Sequence, residues 1–204
     1  MNIANRCIST DARRRAEKLL RELSLEEKVR QLGCTTLLSE DKLPEEKDLA
    51  GGIGAIALLD ICEEPEALAA RLKKLQQYVM EHSEHHIPAL FHCEALGGPV
   101  VPKTVLYPNS IGLGATFDPA LVRDMADTIR MQMRAMGILH ALSPVLDVAK
   151  DLRWGRVNET YGGDPTLSAA MSCAFVGGCR AATCPPAWPP PQSIFWATPR
   201  RWAD

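Results

Sequence analysis

Two kinds of hydrophobic pattern alternate along this chain. Pro65 to His82 carries Leu68, Leu72, Leu75, Tyr78 and Val79 on roughly one side of a helix. Asp118-Pro119 opens a second helix reaching about Met136, with Leu121, Met125, Ile129 and Met133 at helical spacing. Between and around them lie short apolar runs of strand length. Gly51-Gly52 leads into Ile53 to Leu58, Pro88 to Phe91 forms a second run, and Pro144 to Ala149 a third. Strands alternating with helices predict about three βα units and a parallel sheet. Asp164-Pro165, an N-cap carboxylate followed by Pro at the first helical position, starts a further helix.

Upstream, Asp11 is placed to cap a helix through Leu20, and Ser24-Leu25-Glu26-Glu27 has the form of a capping box. Leu25, Val29 and Leu32 fall on one face of that second helix. Residues 34–50 are largely polar and acidic and read as a loop. Arg13, Arg14 and Arg15 read as a solvated helix face rather than a phosphate site. The glycines at 51, 52 and 54 lack nucleotide-binding spacing.

In a sheet of this type ligands gather at the C-terminal ends of the strands. Two stretches there carry chemistry. His92-Cys93-Glu94 follows the second strand, and a carboxylate at the end of an inner strand is costly unless it has a partner or a ligand. Asp151-Leu152-Arg153-Trp154-Gly155-Arg156 follows the third.

Composition narrows the classes. The chain has 204 residues, 46% of them hydrophobic, enough for one domain with a sizeable core. A net charge of -2 gives no reason to expect nucleic acid or an anionic membrane as partner. Seven Cys, an odd number without a CxxC pair, favour reduced thiols and a cytoplasmic location over a disulfide framework. The N-terminus MNIANRCIST has no apolar signal region, and no apolar run approaches membrane length. Cys173, Cys179 and Cys184 lack a following His at ligand spacing, and His82, His85 and His86 suit a helix C-terminus, so no metal and no cofactor is expected.

The segment LDVAKDLRWGRVNETYGGDP, Leu146 to Pro165, resembles the signature of glycoside hydrolase family 3, the β-glucosidase and β-xylosidase family. LEEKVRQL from Leu25, IPALFHCEALGG from Ile87 and YPNSIGLGATFDPAL from Tyr107 resemble the same family in the same order. The resemblance covers about residues 12–176. It implies an α/β chain that is the N-terminal part of a (β/α)8 TIM-type barrel, not closed. It implies retaining hydrolysis of terminal, non-reducing β-linked sugars, with a small β-glycoside or oligosaccharide as partner. It assigns substrate binding to Glu94 and Arg156, a carboxylate that accepts sugar hydroxyls and a guanidinium fork that balances it. Asp147, Glu159 and Asp164 read as loop-bracing and capping groups. Gly97 stands where the family often has His, Leu152 where it usually has Pro, and Gly163 where it usually has Glu. The family's Lys-His-Phe motif and its nucleophilic Asp have no counterpart here, so no catalytic residue is assigned and the chain is expected to be inactive.

The resemblance ends after Val176, dividing the chain at 1–176 and 177–204. The second part, GGCRAATCPPAWPPPQSIFWATPRRWAD, holds six of the fifteen Pro and three of the four Trp. It reads as an irregular Pro-rich tail. One account of it is a proline-rich module on a non-catalytic sugar-binding or interaction protein. Another is a lost reading frame. With an AGY codon for Ser193, Pro191 to Trp196 is CCN CAR AGY ATH TTY TGG. Read from the third base this becomes NCA RAG YAT HTT YTG, which permits Ala, Lys, His, Phe, Leu. The missing Lys-His-Phe thus lies one frame away. We expect a frameshift between about Gly177 and Pro185. Sequencing the gene should give Lys-His-Phe in the shifted frame, and an early stop there would return the tail to a native role.

Overall fold

The computed structural model describes residues 10–37 and 49–180. Four parallel strands, β1 (Cys34–Leu37), β2 (Ala55–Leu58), β3 (Leu90–Cys93) and β4 (His140–Ala141), pair in sequence order. Helices α1 (Thr10–Glu22) and α2 (Leu25–Arg30) precede the sheet, α3 (Pro65–Glu81) links β2 to β3, and α4 (Ser110–Gly114) and α5 (Pro119–Ala135) link β3 to β4. Helix α6 (Pro165–Arg180) follows the last strand. This is an open part of a (β/α) barrel, as the resemblance implies.

The sheet has one covered face. Leu37, Ile56, Leu58, Phe91, Cys93 and Ala141 share a core with Leu68, Leu72 and Val79 of α3 and Val122, Met125 and Ile129 of α5. Each large aliphatic or aromatic side chain so buried contributes roughly 1.5–3 kcal/mol before entropy is counted. The alternate positions, Cys34, Thr36, Ala55 and Ala57, are exposed or half-buried. Side chains alternate across a strand, so one face is covered and the other open.

Local sequence decides most helix ends. Ser24 Oγ accepts from the Glu27 N–H at 3.2 Å, and the Glu27 carboxylate accepts from the Ser24 N–H at 2.8 Å, which completes the capping box. Asp118 accepts from the N–H groups of Ala120 and Leu121. Asp164 accepts from Leu167 N–H at 2.7 Å. Arg13 and Arg15 sit on an exposed face, paired with Glu17 and Asp11.

Five expectations need correction. Residues 34–37, read as loop, form β1: its two Thr hide the strand pattern, and only Leu37 is fully buried. The described residues therefore hold four strands rather than three. The second predicted strand, Pro88–Phe91, lies at Leu90–Cys93. The strand expected at Pro144–Ala149 lies earlier, at His140–Ala141, because Pro144 has no N–H to donate to a ladder. Ala149 N–H donates instead to Gly162 O across the following loop, at 3.0 Å. On α5, Leu121 is 48% exposed while Val122 and Ala126 are buried. Met125, Ile129 and Met133 face inward as expected, and Val122 and Ala126 widen that side where α6 packs along the helix. A Cβ on Gly178 would stand 2.3 Å from Arg123 O and 2.7 Å from Ala126 Cβ, so glycine allows the contact. The expected irregular tail accordingly begins inside a helix, which runs through Gly177 to Arg180. Residues 181–204, and the proline-rich reading that falls on them, lie outside the described residues.

Two apolar surfaces stay uncovered among the described residues. Leu25, Val29 and Leu32 are 78%, 59% and 86% exposed, so the single face they share in sequence meets no core. A groove of about 590 Å³ runs along α6, lined by Leu146, Val148, Ala169, Cys173 and Val176. Among the described residues no helix is long and apolar enough to cross a membrane.

Glu27 also joins α2 to the far end of α3, with His85 Nδ1 at 2.7 Å. The Ser24 N–H, then His85 and the Ser24 hydroxyl, lower its pKa from 4.5 to about 2. A carboxyl depressed on folding stabilises the fold above its unfolded pKa. That contribution is lost as pH falls from about 4.5 toward 2. Glu27→Gln should lower the melting temperature at pH 7 and flatten its fall over that window. Parallel melting curves for the two proteins would contradict the linkage.

Candidate functional site

All four strands point the same way, so Leu37, Leu58, Cys93 and Ala141 end on one rim. Glu94 extends β3 by one residue onto that rim. It belongs to the same side of the strand as His92, opposite Phe91 and Cys93, which face the core. Its side chain is exposed. Ala95, next to it, has φ 54°, and Asp60, just past β2, has φ 50°. Both occupy the left-handed region, costly for residues with a Cβ and often found at binding sites. The Cys93 thiol is pushed up to about 12, first by burial and then by the Glu94 charge. It is therefore a neutral core group, not a nucleophile.

The loop after β4 brings the other members. Leu142 N–H donates to Cys93 O at 3.0 Å, fixing the start of the loop beside Glu94. Asp151 holds Arg153 through backbone and side-chain bonds, the shortest at 2.7 Å from Nη2. The short 3-10 turn Val157–Glu159 contacts α4 and is braced by fully buried Thr160, whose Oγ1 donates to Val157 O at 2.8 Å.

Arg156 binds Glu159 with both prongs of its fork, Nε to Oε1 at 3.0 Å and Nη2 to Oε2 at 2.5 Å. Its pKa is raised, chiefly by that Glu159 bond, with the charges of Glu94 and Asp147 adding to it. The structure thus brings Glu94, Asp147 and Arg156 into one electrostatic neighbourhood. The guanidinium makes its hydrogen bonds to Glu159. Of the groups read as bracing and capping, Glu159 holds Arg156, Asp164 caps α6, and exposed Asp147 contributes charge. Glu159 holds the exposed guanidinium while Glu94 and Asp147 act on it through their charge, so the group combines hydroxyl acceptors with a donor fork.

Sequence reasoning passed over Asp60. It stands at the end of the apolar run Ile56 to Leu59, by the same rule that singled out Glu94. The groove along α6 contains neither Glu94 nor Arg156.

His82, His85 and His86 do not converge. Their Nδ1 atoms meet Tyr78 O, Glu27 Oε1 and Met80 O respectively. Glu27, Glu84 and His85 have ligand atoms within 4.8 Å of one another, but at the opposite end of the barrel segment from the rim. That end serves stability.

The comparisons follow the geometry. The family model described as the glycosyl hydrolase family 3 N terminal domain matches residues 24–188. The chain belongs to glycoside hydrolase family 3. A putative β-xylosidase of Formosa agariphila is 30% identical over 178 residues, which cover 81% of this chain and 23% of that protein. A periplasmic β-glucosidase/β-xylosidase of Dickeya chrysanthemi is 44% identical over 80 residues, 39% of this chain and 12% of its own. Among solved structures, a β-glucosidase of Erythrobacter marinus superposes with a TM-score of 0.76 at 30% identity, covering 84% of this chain and 23% of that one. A Listeria innocua β-glucosidase in complex with glucose gives 0.65 at 26% identity, covering 81% and 23%. This family 3 chain therefore spans about a quarter or less of the length of these relatives.

Gly97, where the resemblance leads one to expect His, has a structural reason. A Cβ there would lie 2.5 Å from Tyr107 O, and Gly97 O accepts from Tyr107 N–H at 2.7 Å. The 105–108 segment closes directly on the backbone two residues past Ala95. Gly97→Ala should cost about 1–3 kcal/mol, read as a shift of the denaturation midpoint. An unchanged midpoint would mean that the loop gives way freely.

Proposed function

We propose that this chain supplies the first part of a sugar pocket for hydrolysis of terminal, non-reducing β-linked glucose or xylose by the retaining route. One observation carries the reading: Glu94 projects at the C-terminal end of β3, and its charge acts on Arg156. In this proposal Glu94 accepts two sugar hydroxyls. Arg156 turns part of its fork from Glu159 toward the same sugar, and Asp147 helps hold the positive charge in place. The glucose in the Listeria innocua β-glucosidase complex supports the substrate class. A reducing, cytoplasmic location is part of the same proposal, since an odd number of cysteines without a CxxC pair suits reduced thiols.

Retaining hydrolysis needs two carboxyl groups, one as nucleophile and one as acid and base, flanking the scissile bond about 5–5.5 Å apart. The proposal gives Glu94 to binding, and the resemblance puts the nucleophile on a strand beyond these 204 residues. The 204-residue polypeptide is accordingly proposed to bind sugar without turning it over. We also place the frame loss after Gly178. The packing of that glycine against Arg123 and Ala126 supports an in-frame α6 up to that point.

Two measurements test this. Chromogenic β-glucoside and β-xyloside should not be hydrolysed by the purified polypeptide. Turnover abolished by Glu94→Ala would overturn the inactive reading. Glucose or xylose titrated into the labelled protein should shift the resonances of residues 94–97 and 153–159. Glu94→Ala should weaken that binding about 10–100-fold, as expected for lost charge-assisted hydrogen bonds. Equal affinity in the variant would remove Glu94 from the pocket.

A further inference from the structure

The open face of the sheet carries a second cluster, two residues deeper than Glu94, that the sugar pocket does not use. Cys34 of β1 and His92 of β3 reach toward each other across β2, with Cys34 Sγ 3.4 Å from His92 Nε2. The register permits this. Cys34 pairs with Ala55 and His92 with Ala57, so only methyl groups stand between them. On its other side His92 pairs with His140, and the two rings meet edge to face at 5.5 Å and 60°.

The histidines are unusual for buried groups. His92 and His140 are 9% and 6% exposed. Neither ring nitrogen of His140, nor Nδ1 of His92, has a hydrogen-bond partner among the described residues. Buried polar atoms are ordinarily paired, so three unpaired ring nitrogens in one place call for a ligand. Burial lowers the pKa of both rings, and His92 adds to the effect on His140. The neutral imidazole is the form that binds metals. Cys34 itself lies exposed on the open face.

We propose that Cys34, His92 and His140 form a binding site for a thiophilic divalent cation such as Zn²⁺. A sulfur and a nitrogen on one tetrahedral zinc stand about 3.5 Å apart, given bond lengths of about 2.3 and 2.0–2.1 Å. The observed separation of Cys34 and His92 is 3.4 Å. Binding replaces the Cys34 S–H bond with a sulfur–metal bond and releases that proton to solvent. His92 Nε2 gives the second bond. A His140 nitrogen, brought in by rotation of its ring, gives the third, and water takes the fourth position. One thiolate and two imidazoles select zinc, cobalt or copper over magnesium or calcium, which require oxygen ligands.

Cobalt alone is the probe, because its thiolate charge-transfer absorption reports a sulfur bond directly. The reduced, metal-free 204-residue chain should develop this absorption at one Co²⁺ per chain and lose it on addition of Zn²⁺. Cys34→Ser, at an exposed position, should remove the absorption while circular dichroism stays native. Loss of an outer-shell partner already costs about 10–100-fold in metal affinity, so loss of a ligand should cost at least about tenfold. Cys62→Ser and Cys173→Ser, the other exposed thiols among the described residues, should leave the absorption unchanged. His140→Gln should weaken Zn²⁺ binding in a chelator competition at unchanged helix content. No cobalt absorption, its persistence in Cys34→Ser, or undiminished zinc affinity in His140→Gln would each overturn the proposal.

Discussion

A parallel ladder of four strands, none longer than four residues, sets where every functional side chain of this chain stands. Its hydrogen bonds continue just beyond the strand ends, from Ala55 N–H to Gly33 O, Leu90 N–H to Gly54 O and Leu142 N–H to Cys93 O. A one-residue slip would send every inward side chain to the other face. It would bury Glu94 and His92 among the helices and expel Phe91 and Cys93. Burial of Ile56, Phe91 and Cys93 against α3 and α5 opposes that slip. Packing on one face therefore fixes the chemistry on the other.

The two faces divide the labour. The covered face is aliphatic and closed, and its thiol, Cys93, is held neutral. The open face is mixed, with small Ala55 and Ala57 beside Cys34, Thr36 and His92, and Glu94 stands at its rim. Loop 142–164 is anchored to both layers. Leu142 ties it to β3, Ala149 ties it to Gly162, and Thr160 and Tyr161 are almost wholly buried. Arg156 is thus carried on a braced turn, with its fork held by Glu159 and its charge favoured by Glu94 and Asp147.

Features governed by near neighbours in sequence were legible before the structure. The capping box at Ser24, the Asp118 and Asp164 caps and the apolar side of α3 follow from spacing and residue chemistry alone. Features governed by distant pairing were not. Strand β1 has too little apolar content to declare itself, and β4 is defined only by its pairing with β3. On α5 the spacing found Met125, Ile129 and Met133 but not Ala126, which packs against Gly178, more than fifty residues away. Glu94 and Arg156 were singled out through a family resemblance, whereas the bond from Arg156 to Glu159 needed a folded turn. The juxtaposition of Cys34, His92 and His140 has no trace in local spacing, because only the ladder joins them.

If the ladder organises the molecule, its amides must open together. Native-state hydrogen exchange on the 204-residue chain measures this directly. The account predicts that the N–H groups of Ala55, Leu59, Leu90, Leu139 and Leu142, all bonded between strands, exchange slowly and with one common opening free energy shared by α3 and α5. Protection confined to α3 and α5, with these five amides exchanging freely, would mean that the helices form without the sheet, and would contradict it.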